Sequence, residues 1–337
     1  MAAFGLCLKG VRSMTVTPKK IGKWMLGLSA VAAGAAAVSY VVTKKLVDVA
    51  VDRETPKALE KTKETFAGSE KMREIMAEQK AAAEALEALP HEDVELTAFD
   101  GEKLLGHWVR CENPARTLIA FHGWRSSWSM DFGLIVDFWQ RAHCNVLFVE
   151  QRGQNGSSGA YMGFGLLERH DCLTWAEYVD GLGEGLPVYL VGVSMGASTV
   201  LMASGMQLPA CVHGIMADCG YTSPNAIWKY ISEKNLHLPY TGLRRMVVDD
   251  LCRRKWTTED SNYSCTDALR HCTVPVLFIH GTADHFVPVE MSFENYLACA
   301  APKELLIVPG ADHGMSYLVE RERYEATCNA FFGKYDK

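Results

Sequence analysis

Val188-Tyr-Leu-Val-Gly192-Val-Ser194-Met-Gly196-Ala-Ser-Thr-Val-Leu-Met202 decides the fold of this 337-residue chain. An unbroken apolar run leads straight into Gly-x-Ser-x-Gly, and small residues suited to a helix follow at once. A short run without polar alternation reads as a strand buried on both faces, the pattern of a parallel sheet. A serine at the sharp turn between strand and helix holds its hydroxyl in the open. It also sits at the positive end of the helix, where backbone N–H groups can hold a developing oxyanion. The flanking glycines leave room that a side chain in so tight a turn would fill.

A serine hydroxyl is a weak nucleophile until a base takes its proton, and the base needs an orienting carboxylate. On a turn of this kind the expected chain order is Ser, then Asp or Glu, then His. Val274-Pro-Val-Leu-Phe-Ile-His280-Gly-Thr-Ala-Asp284 reads as a buried strand whose following turn carries Asp284. Glu304-Leu-Leu-Ile-Val-Pro-Gly-Ala-Asp312-His313 reads as a second strand whose loop carries His313. Both candidates follow the C-terminal end of a strand, the edge where open parallel sheets place their ligands. Asp312 is the competing acid, but chain neighbours usually point apart. Glu290 follows Pro288-Val289 and reads as a carboxylate at a helix N-terminus. His280 reads as a packed strand-end histidine and His285 as exposed. Thr117-Leu-Ile-Ala-Phe-His122-Gly-Trp124 supplies a second loop at the same edge. The backbone N–H groups of Trp124 and Met195 are therefore the expected oxyanion donors, with His122 structural.

These stretches resemble the α/β-hydrolases, in particular a single-domain bacterial serine esterase-like branch related to prolyl-oligopeptidase and dienelactone-hydrolase folds. The likeness covers roughly residues 91–335. It rests on Phe121-His-Gly-Trp, Val149-Glu-Gln-Arg-Gly, Gly165 to Trp175, Gly192-Val-Ser-Met-Gly-Ala, Asp218-Cys-Gly-Tyr, Ile279-His-Gly-Thr-Ala-Asp and Gly310-Ala-Asp-His. It implies a mostly parallel central sheet flanked by helices, with Ser194 as nucleophile, Asp284 as acid and His313 as base. Many relatives read Asp-x-Arg-x-His-Gly where this chain has Glu150-Gln-Arg-Gly-Gln154-Asn. Gln154 replaces the frequent histidine in a loop at the rim of the site, which bears on substrate shape rather than chemistry.

The remainder of the chain sorts by composition. A net charge of −6 argues against nucleic acid as partner. The chain lacks Cys-x-x-Cys, His-Glu-x-x-His and phosphate-loop patterns, so no metal and no cofactor are expected. Residues 1–45 carry Lys9, Arg12, Lys19, Lys20 and Lys23, then a charge-free run from Trp24 to Val42, then Lys44-Lys45. That length can span a bilayer, and a single-pass N-terminal membrane anchor is the expectation, with a cleaved signal and a soluble helix as rivals. The basic excess on the N-terminal side favours a catalytic domain outside the cytoplasm. The 11 cysteines, an odd and scattered set, favour a reducing compartment instead. Residues 46–90 read as a charged helical linker ending at Pro90, and residues 91–337 as the hydrolase domain. Asp100-Gly101, inside an alternating stretch, signals an antiparallel hairpin at its start.

Between Tyr221 and Val274 the chain is longer than an ordinary crossover, and a small helical cap at about 222–272 is expected over Ser194. Trp228, Tyr230, Leu236 and Met246 are its candidate substrate-binding residues, although each could simply pack the cap on the core. The sequence thus points to a serine hydrolase that cleaves small carboxylic esters with short to medium acyl chains. Amide or thioester cleavage by the same triad is the alternative, disfavoured for peptides because the N-terminal region is too short for a propeller. A non-catalytic membrane-tethered binding protein is the remaining reading, and it sits poorly with three intact triad positions. Asp218 reads as a structural carboxylate bonded to loop amides.

Overall fold

The computed structural model describes residues 18–54, 70–256 and 262–337. Its strands are β1 (Glu92–Thr97), β2 (Lys103–Val109), β3 (Arg116–Phe121), β4 (Cys144–Val149), β5 (Val188–Val193), β6 (Val212–Asp218), β7 (Val276–Gly281) and β8 (Lys303–Val308). They form one sheet in the order β1-β2-β4-β3-β5-β6-β7-β8. β1 and β2 pair antiparallel, as do β2 and β4, and every later pairing is parallel. The antiparallel start follows from the turn at Asp100-Gly101, where Gly101 takes a φ of +92°. Its N–H donates to Ala98 O at 3.0 Å.

The central strands are apolar on both sides because helices cover both faces of the sheet. Alternation sends successive residues into opposite layers. In β3, Ile119 and Phe121 join one apolar cluster while Leu118 and Ala120 join the other. In β5, Leu190 packs on the first side and Tyr189 and Val191 on the second. The strands therefore form a stiff frame whose C-terminal ends can hold catalytic loops. The α/β-hydrolase architecture expected from the sequence is the one observed.

The N-terminal expectation needs correction. A helix runs from Pro18 to Val51, so Trp24–Val42 lies within it. No helix among the described residues, however, is long and apolar enough to cross a membrane. Alanine and glycine dominate the run around Ala30–Ala37, and these residues add little transfer free energy per turn. The helix then continues beyond Lys44-Lys45, and its last turns pack on the domain, with Val47 and Val51 buried. A single-pass anchor is thus not supported, and the basic residues Lys9 and Arg12 lie outside the described residues. Of the charged segment after it, residues 55–69 are also outside them. A helix at Glu70–Glu87 follows, with Ala83 and Leu86 buried and Glu87 accepting from Ser129 Oγ at 2.6 Å.

Candidate active site

The turn after β5 shows why glycine brackets the serine. Ser194 adopts φ 55° and ψ −115°, a strained conformation held between β5 and the helix Met195–Ala203. Its N–H donates to Asp218 O at 2.9 Å. A Cβ on Gly196 would lie 1.9 Å from Phe121 O, and one on Gly192 would lie 2.3 Å from the carbonyl carbon of Gly196. Both obstacles are backbone and cannot swing aside. Only glycine at these positions lets the helix start directly against the end of β3.

Three strand ends then converge. His313, in the loop after β8, places Nε2 2.9 Å from Ser194 Oγ. Asp284, in the turn after β7, places Oδ2 2.7 Å from His313 Nδ1. Both bonds are satisfied when Nδ1–H donates to the carboxylate and Nε2 accepts from the hydroxyl. Asp284 Oδ1 accepts from the N–H groups of Phe286 and Val287, each at 2.8 Å. His280 Nε2 reaches Asp284 Oδ2 at 3.1 Å, while its Nδ1 pairs with Ser292 Oγ at 2.6 Å. Burial works to raise the pKa of Asp284, but the bonds from His280 and His313 outweigh it and hold the carboxyl well below its usual range. The arrangement presents a fixed anion behind a histidine whose other nitrogen faces a serine.

Asp312, the competing acid, faces elsewhere. Its Oδ1 accepts from the N–H of His313 at 2.8 Å and of His285 at 3.1 Å, which folds the loop that presents the imidazole. His122 is fully buried, with Nδ1 on Gly123 O at 2.8 Å and Nε2 accepting from Gln151 N–H at 3.1 Å. Burial lowers its pKa, so it is a neutral brace between two loops. Gln154 Oε1 accepts from Arg125 N–H at 2.6 Å, and so shapes the loop next to Trp124. Asp218 lies near His280, His313 and Asp284 and accepts from Ser316 Oγ at 3.0 Å, a hydroxyl partner in place of the loop amides expected. Burial pushes its carboxyl up to about 6 against the pull of His280 and that hydroxyl.

A cavity of about 340 Å³ opens on Ser194, a size common for small-molecule sites. Trp124 and Met195 line it with the serine, and neither backbone N–H is hydrogen-bonded among the described residues. Helices Pro224–Tyr230 and Gly242–Trp256, joined by a π-helical turn at Ile231–Asn235, form one wall. Trp228 and Leu236 are on that wall. Tyr230 packs instead against the main apolar cluster. Met246 is 69% exposed and outside the lining, because Arg244 and Val248 take the inward face of its helix and Met246 falls on the other side. Sequence reading missed Phe286, Tyr221 and Ile227, and missed Thr43, Leu46, Val47, Val49 and Ala50 of the N-terminal helix. The spacing of Thr43, Leu46, Val47 and Ala50 at helical period was the available signal.

Two clusters among the described residues bring three ligand-type atoms within 4.8 Å of one another. In Cys219-Asp284-His313 the carboxylate and imidazole already bond each other, and burial raises the thiol pKa well above its usual value. His91-Asp93-His107 belongs to the start of the sheet and does not line the cavity.

Residues 118–329 match the model of the alpha/beta hydrolase family. The uncharacterized protein YfhR of Salmonella typhi is 28% identical over 238 residues, covering 66% of this chain and 74% of its own. YqkD of Bacillus subtilis is 26% identical over 247 residues, covering 71% and 80%. Among solved structures, the Pyrococcus furiosus esterase Pf2001 superposes with a TM-score of 0.60 at 22% identity, covering 74% of this chain and 93% of that one. An acylaminoacyl peptidase of Pyrococcus horikoshii gives 0.56 at 17% identity, covering 75% and 43%. At these identities the two structures speak for a shared fold.

Proposed function

Because this chain belongs to the alpha/beta hydrolase family, we propose that it is a serine hydrolase of carboxylic esters, with Ser194, His313 and Asp284 as nucleophile, base and orienting acid. The observation that carries the reading is the continuous relay of 2.9 Å and 2.7 Å from Ser194 Oγ through His313 to Asp284. His313 Nε2 takes the serine proton as Oγ attacks the ester carbonyl. The N–H groups of Trp124 and Met195 hold the oxyanion, and their freedom from other bonds suits that role. The alcohol leaves with the proton from Nε2, and water then repeats the sequence on the acyl-enzyme.

The cavity favours esters over peptides. Among the described residues Arg244 is the one charged residue in its lining, and Tyr221 Oη, Trp228 Nε1 and Arg244 Nε expose almost no surface and have no hydrogen-bond partner. A wall of carbon suits an acyl chain and leaves the polar groups of a peptide unpaired.

The test is a panel of p-nitrophenyl esters from acetate to palmitate, with an aminoacyl anilide and an acyl-CoA alongside. Ser194→Ala should lower ester turnover by roughly 10⁴-fold or more while the fold persists. A fluorophosphonate should label Ser194. Cleavage of the anilide or thioester alone would keep the triad and replace the substrate class; labelling of another serine would overturn the assignment.

A further inference from the structure

The N-terminal helix does more than cover the domain. Thr43, Leu46, Val47, Val49 and Ala50 line the cavity that opens on Ser194. The hydroxyl of Thr43 is spent on Ser39 O, 2.8 Å away in its own helix, so this face offers no polar group to a ligand. From Thr43 to Ala50 the helix rises about 10 Å, the reach of an extended octanoyl chain. Trp228, Leu236 and Val248 line the same cavity.

This wall is held in register with the candidate oxyanion loop. Trp124 Nε1 donates to Ala50 O at 2.8 Å, and Arg125 Nη2 donates to Val49 O at 2.8 Å and Asp52 O at 2.6 Å. These groups satisfy carbonyls that a helix C-terminus leaves open. Met162 N–H donates to Val51 O at 2.7 Å. Lys255 Nζ bridges Asp48 at 3.1 Å and Asp52 at 2.6 Å, tying the helix to the cap helix Gly242–Trp256. A chain seated on Ser194 would therefore meet the Ala50 end first and run toward Thr43.

We propose that the last two turns of the N-terminal helix are the acyl-length gauge of this enzyme, accepting a linear saturated chain of about octanoyl length along the Thr43–Ala50 face. The inference rests on the ester-hydrolase reading for its chemistry and on the cavity alone for its binding. Leu46, midway along the wall, is the residue that sets the bore.

Full-length wild type, Leu46→Trp and Leu46→Ala are compared on p-nitrophenyl acetate, octanoate and dodecanoate. Wild type should prefer octanoate. Leu46→Trp should lower the octanoate-to-acetate ratio of kcat/KM about tenfold or more, and Leu46→Ala should shift preference toward dodecanoate. Ratios within about twofold of wild type in both variants would overturn the gauge. Fluorophosphonate labelling reports whether Leu46→Trp retains a folded site; if it does not, Leu46→Ala decides. Should wild type hydrolyse no ester, the functional reading fails, and calorimetric titration with octanoate decides the gauge separately. Binding by wild type that Leu46→Trp abolishes supports it; equal binding, or none by wild type, overturns it.

Discussion

Replacing Asp284 by Asn tests the candidate triad at its most determined point. The carboxylate accepts four hydrogen bonds: two from the N–H groups of Phe286 and Val287, one from His280 and one from His313. An asparagine keeps Oδ1 for the two amides and puts an NH₂ group where Oδ2 was. That group faces His280 Nε2–H and His313 Nδ1–H, so two donors meet two donors. The relief open to His313 is to move its proton to Nε2, and an Nε2–H cannot accept from Ser194. The expected loss in kcat is about 10⁴-fold, or about 5.4 kcal/mol of transition-state stabilisation. Losing a charge-assisted bond should also cost about 1.5–3 kcal/mol of stability. Ester turnover, fluorophosphonate labelling rate and urea unfolding are measured on the same samples. A loss below about tenfold with the fold intact would refute the argument, since the wrong tautomer alone is worth far more. A larger loss from Asp312→Asn than from Asp284→Asn would move the acid to Asp312.

Two further substitutions follow from particular contacts. Gly196→Ala would set a Cβ 1.9 Å from Phe121 O, and should cost about 3 kcal/mol or more in urea unfolding, because neither backbone can yield; a change below about 1 kcal/mol would show that β3 and the turn can separate. Asp218 titrates at about 6 in the folded chain, above about 3.9 for an unfolded aspartate. The folded state therefore binds the proton more tightly, and this group's contribution to stability is full below about 3.9, declines through the interval and is lost above about 6. Asp218→Asn, which retains an oxygen for Ser316, should raise Tm relative to wild type more at pH 7 than at pH 4. An equal offset at both pH values would contradict the assignment.

What was legible in the sequence was what a few neighbouring residues decide. The β5 strand, the Ser194 turn and the helix after it follow from local sterics: Gly192 and Gly196 are required by backbone atoms close to the turn itself. The hairpin at Asp100-Gly101 and the doubly buried strands were readable for the same reason, since turn chemistry and side-chain alternation act over short spans. Ser194, Asp284 and His313 were nominated from strand ends and chain order, and those are the three side chains the fold places within hydrogen-bonding distance. The N-terminal helix shows the limit. Its charge-free run reads in sequence as a bilayer span, and hydropathy alone cannot see that the helix's end is seated on Trp124, Arg125 and Lys255. Trp228 and Met246 were equivalent candidates by composition, yet one faces the cavity and the other solvent. Residue type and local spacing determine turns, strands and the order of chemical groups. A cavity wall is a sum over segments far apart in the chain, whose mutual rotation is set by packing and by polar ties that no single segment carries, so only the tertiary structure could decide it.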